Sequence, residues 1–250
     1  MQIKIKRHIP NFLTLCNLTC GVVAVALAYN GHFLQAGWMF PAGITFDFFD
    51  GFAARMLHVK SEIGRELDSL ADCITSGLLP ATVMYKLMQE ALAGDFSAEP
   101  LSAVVPVSPL QLASAPAVLI VLFSALRLAK FNLDTRQSES FIGLPTPACG
   151  LVVVFLPFVA RWGWAGELLS CYWVLLGLTV ILSGLLVSEM PLFALKFKTF
   201  GWRGNEKRWV LIALAAGLIL TCGFRAFPIV ILVYLLMSLC WKDRTVSASR

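Results

Sequence analysis

The sequence predicts an all-α integral membrane protein with about eight transmembrane helices. Of its 250 residues, 58% are hydrophobic and 14% are charged, and the mean hydropathy is +0.77. A soluble domain carries about 25% charged residues, so this composition excludes an ordinary soluble protein. The apolar residues gather into runs of the ~20 residues that a helix needs to cross a bilayer. The basic residues gather between alternate runs, as they do in membrane proteins.

Eight apolar runs define the predicted helices in chain order. They cover residues 11–30, 33–52, 66–88, 108–130, 145–164, 168–193, 208–224 and 226–241. The first run follows MQIKIKRHIP without a small-residue cleavage site, so we expect a retained helix and not a signal peptide. Only GFRAFP separates the last two runs. We expect a six-helix membrane core over 1–195 and, over 196–250, a C-terminal helical pair with a cytoplasmic tail.

Loop charge predicts the orientation, because Lys and Arg near helix ends are retained in the cytoplasm. If the N-terminus is cytoplasmic, 17 of the 20 basic residues fall on the cytoplasmic side, and only Lys86, Arg161 and Arg225 fall outside. Both termini then lie in the cytoplasm, and the protein is expected in the cell (inner) membrane. Topology accounts for the net charge of +5, and no nucleic-acid partner is expected.

Four aspartates stand at the predicted cytoplasmic ends of the second and third helices: Asp47, Asp50, Asp68 and Asp72. Residues three or four apart share one face of a helix, so the members of each pair point together. The short connection between the helices brings the two pairs to one place. Carboxylates in a membrane repel one another and are costly to ionise, so the pattern predicts a divalent cation between them.

The ligand types indicate which ion this is. Four carboxylates with neither His nor Cys suit Mg²⁺ or Mn²⁺, and they could bridge two such ions. Two-ion sites are typical of phosphoryl-transfer chemistry. Gly51 and Gly64 leave space for a phosphate to approach, and Arg55 offers a planar donor to it. The seven cysteines form no Cys-x-x-Cys pair, so we predict neither a disulfide framework nor a zinc site.

A salt-bridge network is the structural alternative for these aspartates. Arg55, Lys60 and Arg65 stand close enough in the sequence to form one. Such a network would not require two glycines and two aspartate pairs at helical spacing, so the pattern favours the metal site. Glu62 and Glu66 fit solvated loop charge better than metal ligation.

The whole hairpin carries a longer motif. Residues 47–72 match D-x2-D-G-x2-A-R-x8-G-x3-D-x3-D at every fixed position. The chain thereby resembles the CDP-alcohol phosphotransferase family. The resemblance implies that an alcohol hydroxyl displaces CMP from a CDP-linked lipid, at a membrane-embedded site that opens to the cytosol. It also implies a homodimer.

The resemblance assigns a role to each matched position. Asp47, Asp50 and Asp68 are the implied metal ligands, and Asp72 is implied to contact metal and to act as the general base. The implied CDP-binding residues are Gly51, Ala54, Arg55 and Gly64. Upstream, a stripe of small and polar residues on the first helix can face the same site or serve helix packing: Asn11, Thr14, Asn17 and Gly21.

Residues outside the motif resemble one branch of that family. LDSLADCITSGLLPA, ALRLAKFN and FIGLPTPA are similar to phosphatidylserine synthases, and the similarity extends over residues 8–195. It implies CDP-diacylglycerol and L-serine as substrates, with phosphatidylserine and CMP as products. Arg127, Lys130 and Asn132 are candidates for binding the serine carboxylate or the lipid phosphate. Lys130 stands where that branch has Arg, and anchoring of the helix by cytoplasmic positive charge is the alternative for these residues.

Other functions remain open at this level. The same chemistry could use glycerol 3-phosphate or inositol phosphate, although a phosphate-bearing acceptor would require more basic residues than Arg127 and Lys130. A divalent-cation transporter would place its carboxylates near the membrane midplane and often contains a repeat, neither of which the sequence predicts. An aspartate-rich prenyltransferase would require a second aspartate motif, which is absent from the second half of the sequence.

Overall fold

The computed structural model describes residues 2–59, 61–93, 109–133, 141–192, 201 and 205–240. Nearly all of these residues are helical. In chain order the helices within the described ranges are α1 (Gln2–Tyr29), α2 (Phe33–Met56), α3 (Glu62–Asp72), α4 (Leu79–Ala93), α5 (Pro109–Ser114), α6 (Val118–Leu133), α7 (Thr146–Val154), α8 (Leu156–Val159), α9 (Gly163–Leu169), α10 (Tyr172–Val187), α11 (Glu206–Cys222) and α12 (Ala226–Cys240). The architecture is the predicted all-helical one.

Several predicted spans consist of joined helices. A π-helical segment, Cys73–Leu78, joins α3 to α4, and a 3₁₀ turn, Ala115–Ala117, joins α5 to α6. By length and composition, His8–Tyr29 and Leu110–Leu133 can each cross a membrane. Helix α2 is 24 residues long and contains Asp47 and Asp50, and α3 contains Asp68 and Asp72.

The fifth predicted span is shorter and more bent than expected. Pro157 has no N–H to donate to the carbonyl of residue 153, and the helix breaks at Phe155. Thr146–Val159 and Gly163–Leu169 then meet at 114°. Helix α10 begins at Tyr172 and ends at Val187, inside the predicted 168–193. Just before α7 and just after α10, two short strands pair in an antiparallel ladder: β1 (Phe141–Ile142) pairs with β2 (Pro191–Leu192).

The two C-terminal helices form the predicted pair. Arg208–Ser238 is one apolar stretch, but Gly223 has φ +57° and ψ −132°, a conformation that glycine tolerates best. Leu211 and Tyr234 belong to one buried cluster. In a single straight helix these residues would be about 35 Å apart, so the chain turns at Gly223 and α12 returns along α11.

The core lies between the helices, and large apolar side chains also cover the outside. Phe155 packs edge-on against Phe40 and stacks on Phe227 of α12 at 4.5 Å between ring centroids, which attaches the C-terminal pair to the core. Phe12 and Leu220 are 65% and 87% exposed. A surface of this kind suits lipid, because a soluble protein rarely exposes so many large apolar side chains. The chain is therefore an integral membrane protein.

Candidate active site

The connection between α2 and α3 positions the four aspartates. α2 ends at Met56, and α3 begins at Glu62 after Ser61, whose hydroxyl accepts a hydrogen bond from the Gly64 N–H at 3.1 Å. This N-cap satisfies one of the free N–H groups of the first turn of α3. His58 adopts a positive φ of 51° in the tight connection. The ends of both helices thereby face one another, as the sequence predicts.

Three carboxylates meet at this point. Oxygen atoms of Asp47, Asp50 and Asp68 all lie within 4.8 Å of one another. Asp47 and Asp68 are within hydrogen-bonding reach of each other, and Oδ1 of Asp68 is buried with no hydrogen-bond partner among the residues that the structure describes. Two ionised carboxylates in contact repel each other, and an unpartnered buried oxygen is costly. An all-oxygen set of this geometry fits a hard divalent cation.

The described basic residues do not neutralise the aspartates by ion pairing. Arg65 instead pairs with Glu66 at 3.4 Å, on the exposed face of α3. Arg55 is also exposed, and its guanidinium lies over Gly51, 3.4 Å from where a Cβ would stand. Lys60, the third member of the alternative network, lies outside the described residues. The arrangement of Arg55 and Arg65 argues against the salt-bridge alternative.

Asp72 lies beside the three-carboxylate group and not within it. The Asn17 side chain donates a hydrogen bond from Nδ2 to Asp72 Oδ1 at 3.3 Å. Asp50 is held in a similar way, because the Thr14 hydroxyl donates to its Oδ2 at 2.5 Å. Helix α1 therefore orients one aspartate of each pair. The sequence indicated the polar stripe on α1 but did not distinguish support of the aspartates from contact with a nucleotide.

A cavity of about 580 Å³ opens next to the carboxylates. Its lining contains five of the predicted CDP-binding positions together with two aspartates: Asn11, Thr14, Gly51, Ala54, Gly64, Asp50 and Asp68. Gly64 also serves helix packing, because a Cβ there would lie 2.9 Å from Asn11 Oδ1. Ser61, Glu62 and Arg65 line the cavity too. The sequence did not indicate these three residues as part of the site, and their position between Gly51 and Asp68 in the motif was the available signal.

The three acceptor candidates on α6 separate in the structure. Arg127 is only 8% exposed, lies close enough to Asp72 to interact electrostatically, and has an Nε atom with no partner among the described residues. Lys130 is exposed. Asn132 donates from Nδ2 to Ser69 Oγ at 2.8 Å, which ties α6 to α3. Arg127 alone of the three is buried beside the aspartates.

Comparison with known proteins agrees with this geometry. The sequence profile of the CDP-alcohol phosphatidyltransferase family matches residues 7–185. The chain belongs to this family. The matched region of this CDP-alcohol phosphatidyltransferase family member contains every aspartate of the site and ends within α10. Helices α11 and α12 lie beyond it.

Three curated relatives of this family member carry the name CDP-diacylglycerol–serine O-phosphatidyltransferase. The protein of that name from Helicobacter pylori is 28% identical over 229 residues, which cover 91% of this chain and 87% of the relative. The one from Bacillus subtilis is 34% identical over 152 residues, or 60% of this chain and 76% of the relative. A third, from Methanocaldococcus jannaschii, is 30% identical over 147 residues, which cover 58% of each chain.

Proposed function

We propose that the protein transfers the phosphatidyl group of CDP-diacylglycerol to the hydroxyl of L-serine, giving phosphatidylserine and CMP. The observation that carries this proposal is the group of three carboxylates, unneutralised by described basic residues, at the wall of a 580 Å³ cavity in a member of this family. The names of the relatives support serine as the acceptor.

The aspartates would hold the metal. Asp47, Asp50 and Asp68 supply ligands, with Asp72 adjacent, and Mg²⁺ or Mn²⁺, as one or two ions, suits their oxygens. When bound, the metal would neutralise the diphosphate of the substrate and the charge on departing CMP. Thr14 contributes by fixing the carboxylate of Asp50.

The cavity between α1, α2 and α3 would hold the CDP group. Asn11 and Ala54 line it, and the small residues Gly51 and Gly64 keep its walls low. Arg65 lines the cavity and the guanidinium of Arg55 lies over Gly51, and a guanidinium can donate two hydrogen bonds to a phosphate. The apolar exterior of the same helices places the lipid chains in the bilayer.

Asp72 is the proposed general base. It accepts the proton of the serine hydroxyl as the serine oxygen forms a bond to the phosphorus that carries the lipid. The bond between that phosphorus and the bridging oxygen breaks, and CMP leaves with the electron pair. Asp72 suits this role because it lies beside the three-carboxylate group and not within it.

Arg127 is the proposed partner of the serine carboxylate. Its burial next to Asp72 and its unpartnered Nε support this role, since a buried guanidinium needs an acceptor. Lys130 and Asn132 would contribute less, because Lys130 is exposed and Asn132 is bonded to Ser69.

The setting of the enzyme completes the proposal. The excess of basic residues on one side supports a site that faces the cytoplasm, with both termini on the same side, in the inner membrane of the cell. The family core would occupy residues 1–195 and the C-terminal pair and tail residues 196–250. We further propose a homodimer, as the family resemblance implies.

CMP release by the detergent-purified protein tests the function. We expect release from CDP-diacylglycerol only when L-serine and Mg²⁺ or Mn²⁺ are both present, and none after treatment with EDTA. Glycerol 3-phosphate, inositol phosphate and no acceptor are the comparison arms. Release that depends on a different acceptor would contradict serine as the substrate, and release that persists in EDTA would contradict the metal site.

A further inference from the structure

A hydrogen-bond chain leads from the membrane interior to Asp72. Thr75, three residues beyond Asp72, donates from its hydroxyl to Asn17 Oδ1 at 2.9 Å and is 3.3 Å from the Asn17 backbone oxygen. Asn17 in turn donates from Nδ2 to Asp72 Oδ1. Asn17 is fully buried and Thr75 is 1% exposed, so water does not compete for these bonds.

The hydrogen bonds from Thr75 to Asn17 and from Asn17 to Asp72 run in one direction, from donor to acceptor. The Thr75 hydroxyl has one hydrogen, and its shorter contact, at 2.9 Å, is with the amide oxygen of Asn17, which accepts that hydrogen. The amide NH₂ group is then left to face Asp72. If the amide were flipped, its oxygen would meet the carboxylate of Asp72, and two acceptors would repel each other. The Thr75 hydroxyl and the Asp72 carboxylate thus both favour the orientation of Asn17 in which its NH₂ group meets Asp72.

The surrounding helices are shaped around this pair. A Cβ at Gly43 of α2 would lie 2.9 Å from Thr75 Cγ2 and 3.0 Å from Asn17 Oδ1. A Cβ at Gly21 of α1 would collide with the Thr75 hydroxyl. Both positions thus admit only glycine without displacement of Thr75 or Asn17, and the pair has no room to rearrange.

The π-helical segment presents Thr75. Cys73–Leu78 widens the helix directly after Asp72, and its residues Thr75, Ser76 and Gly77 are all buried. π-segments of this length are uncommon in proteins and occur frequently at functional sites. Asp72 directly precedes this segment and Thr75 lies within it, and both contact Asn17 of α1.

We propose that Asn17 and Thr75 are positioning residues that hold the Asp72 carboxylate in one orientation toward the acceptor hydroxyl. The proposal rests on the proposed function of Asp72 as the base. The amide occupies Oδ1 and prevents rotation of the carboxylate, so the remaining oxygen keeps a fixed direction. An enzyme gains rate from such fixed geometry, and small misplacements of a base are costly.

Steady-state kinetics of Thr75→Val and Thr75→Ser test the role of the hydroxyl. Valine keeps the shape of threonine and removes the hydroxyl, so we expect kcat to fall about tenfold or more, with KM for CDP-diacylglycerol changed less than twofold. Serine keeps the hydroxyl and should retain kcat within threefold. Thr82→Val is the matched control, because the Thr82 hydroxyl bonds only its own helix, at Leu78 O, and kcat should be unchanged. If Thr75→Val cannot be purified folded, Thr75→Ala replaces it in the comparison with Thr75→Ser.

A double-mutant cycle tests whether Thr75 acts through Asn17. In an Asn17→Ala background, Thr75→Val should lower kcat less than twofold further, because the connection is already broken. Mn²⁺ binding without substrate, measured by calorimetry, should change less than threefold in every variant. Equal losses for valine and serine, additive losses in the cycle, or a tenfold loss of Mn²⁺ affinity would each overturn the proposal.

The two hypotheses fail separately. If the wild-type protein uses another acceptor, the proposed substrate is wrong, and the same variants are then assayed with that acceptor. If the wild-type protein uses serine and Thr75→Val matches it in kcat, only the positioning role is wrong.

Discussion

The two ends of the helical bundle differ in how they place charge. At the aspartate end, carboxylates of one sign approach within 4.8 Å of one another without ion pairs to the described basic residues. At the opposite end, Glu90 lies within electrostatic reach of both Lys86 and Arg161, beside a cavity of about 440 Å³. Lys86 is only 7% exposed and lies over the ring of Tyr29 at 5.4 Å.

The balance of charge distinguishes a functional site from a structural cluster. Charges of opposite sign neutralise one another, and so the opposite end is complete as it stands. At the aspartate end, four carboxylates have one described basic group, Arg127, within electrostatic reach, so this end is where a cation and an anionic substrate belong. The size of the cavity does not distinguish the ends, but the signs of the charges do.

Removal of the proposed base should have the largest effect. Asp72→Asn keeps the shape of the side chain and cannot accept the proton, so we expect kcat to fall at least about a hundredfold, the range typical of general base catalysis. Calorimetry with Mn²⁺ should detect partial binding, because Asp47, Asp50 and Asp68 are intact. Glu167→Gln, on the exposed part of α9, is the matched control and should be within twofold of wild type. Near-normal turnover of Asp72→Asn would contradict the assignment.

Arg127 gives an intermediate prediction at the same end. Arg127→Gln removes a charge-assisted hydrogen bond of about 1.5–3 kcal/mol, so KM for serine should rise roughly tenfold or more. KM for CDP-diacylglycerol should change little. The comparison variant is Arg225→Gln, since Arg225 packs over Trp162 at 5.8 Å far from the aspartates, and it should leave KM for serine unchanged. Equal effects of both variants would remove Arg127 from the acceptor site.

The smallest effect is expected at the opposite end. Glu90→Gln leaves Lys86 and Arg161 without their shared counter-charge, and Glu90 is partly exposed, so stability should fall by no more than about 1 kcal/mol. A thermal-unfolding assay in detergent should give a Tm about 2–4 °C lower. Turnover should stay within twofold. A large loss of turnover would show that charge at the opposite end controls the site.

The sequence predicted the helices well where the signal was long. The eight apolar runs correspond to the helical segments of the structure, and the division at GFRAFP is confirmed by Gly223 and by the contact of Leu211 with Tyr234. The break at Phe155 and the bend before α9 were not predicted. A run of apolar residues has the same hydropathy whether it is straight or bent, so only Pro157 gave a local signal.

The candidate site was predicted in part. Helical spacing pairs the aspartates within each helix and the short connection between α2 and α3 brings the pairs together, which is why Asp47, Asp50 and Asp68 meet as expected. Thr75 was missed, because helical spacing places it on the face of Asp72 but does not show that Asn17 of α1 packs against that face. Arg127 and Lys130 look equivalent in the sequence, and only the packing of α6 buries one and exposes the other.

The π-helical segment also changes which residues share a face along residues 62–93, the span that contains Asp72 near one end and Glu90 near the other. One residue corresponds to about 100° of rotation in an α-helix, so the additional residue of a widened turn shifts the angular phase of everything after it. A helical wheel drawn continuously over residues 62–93 therefore assigns the wrong faces to Leu79–Ala93. The span behaves as two wheels with a phase slip between them, and a mutational scan has to be indexed separately on each side.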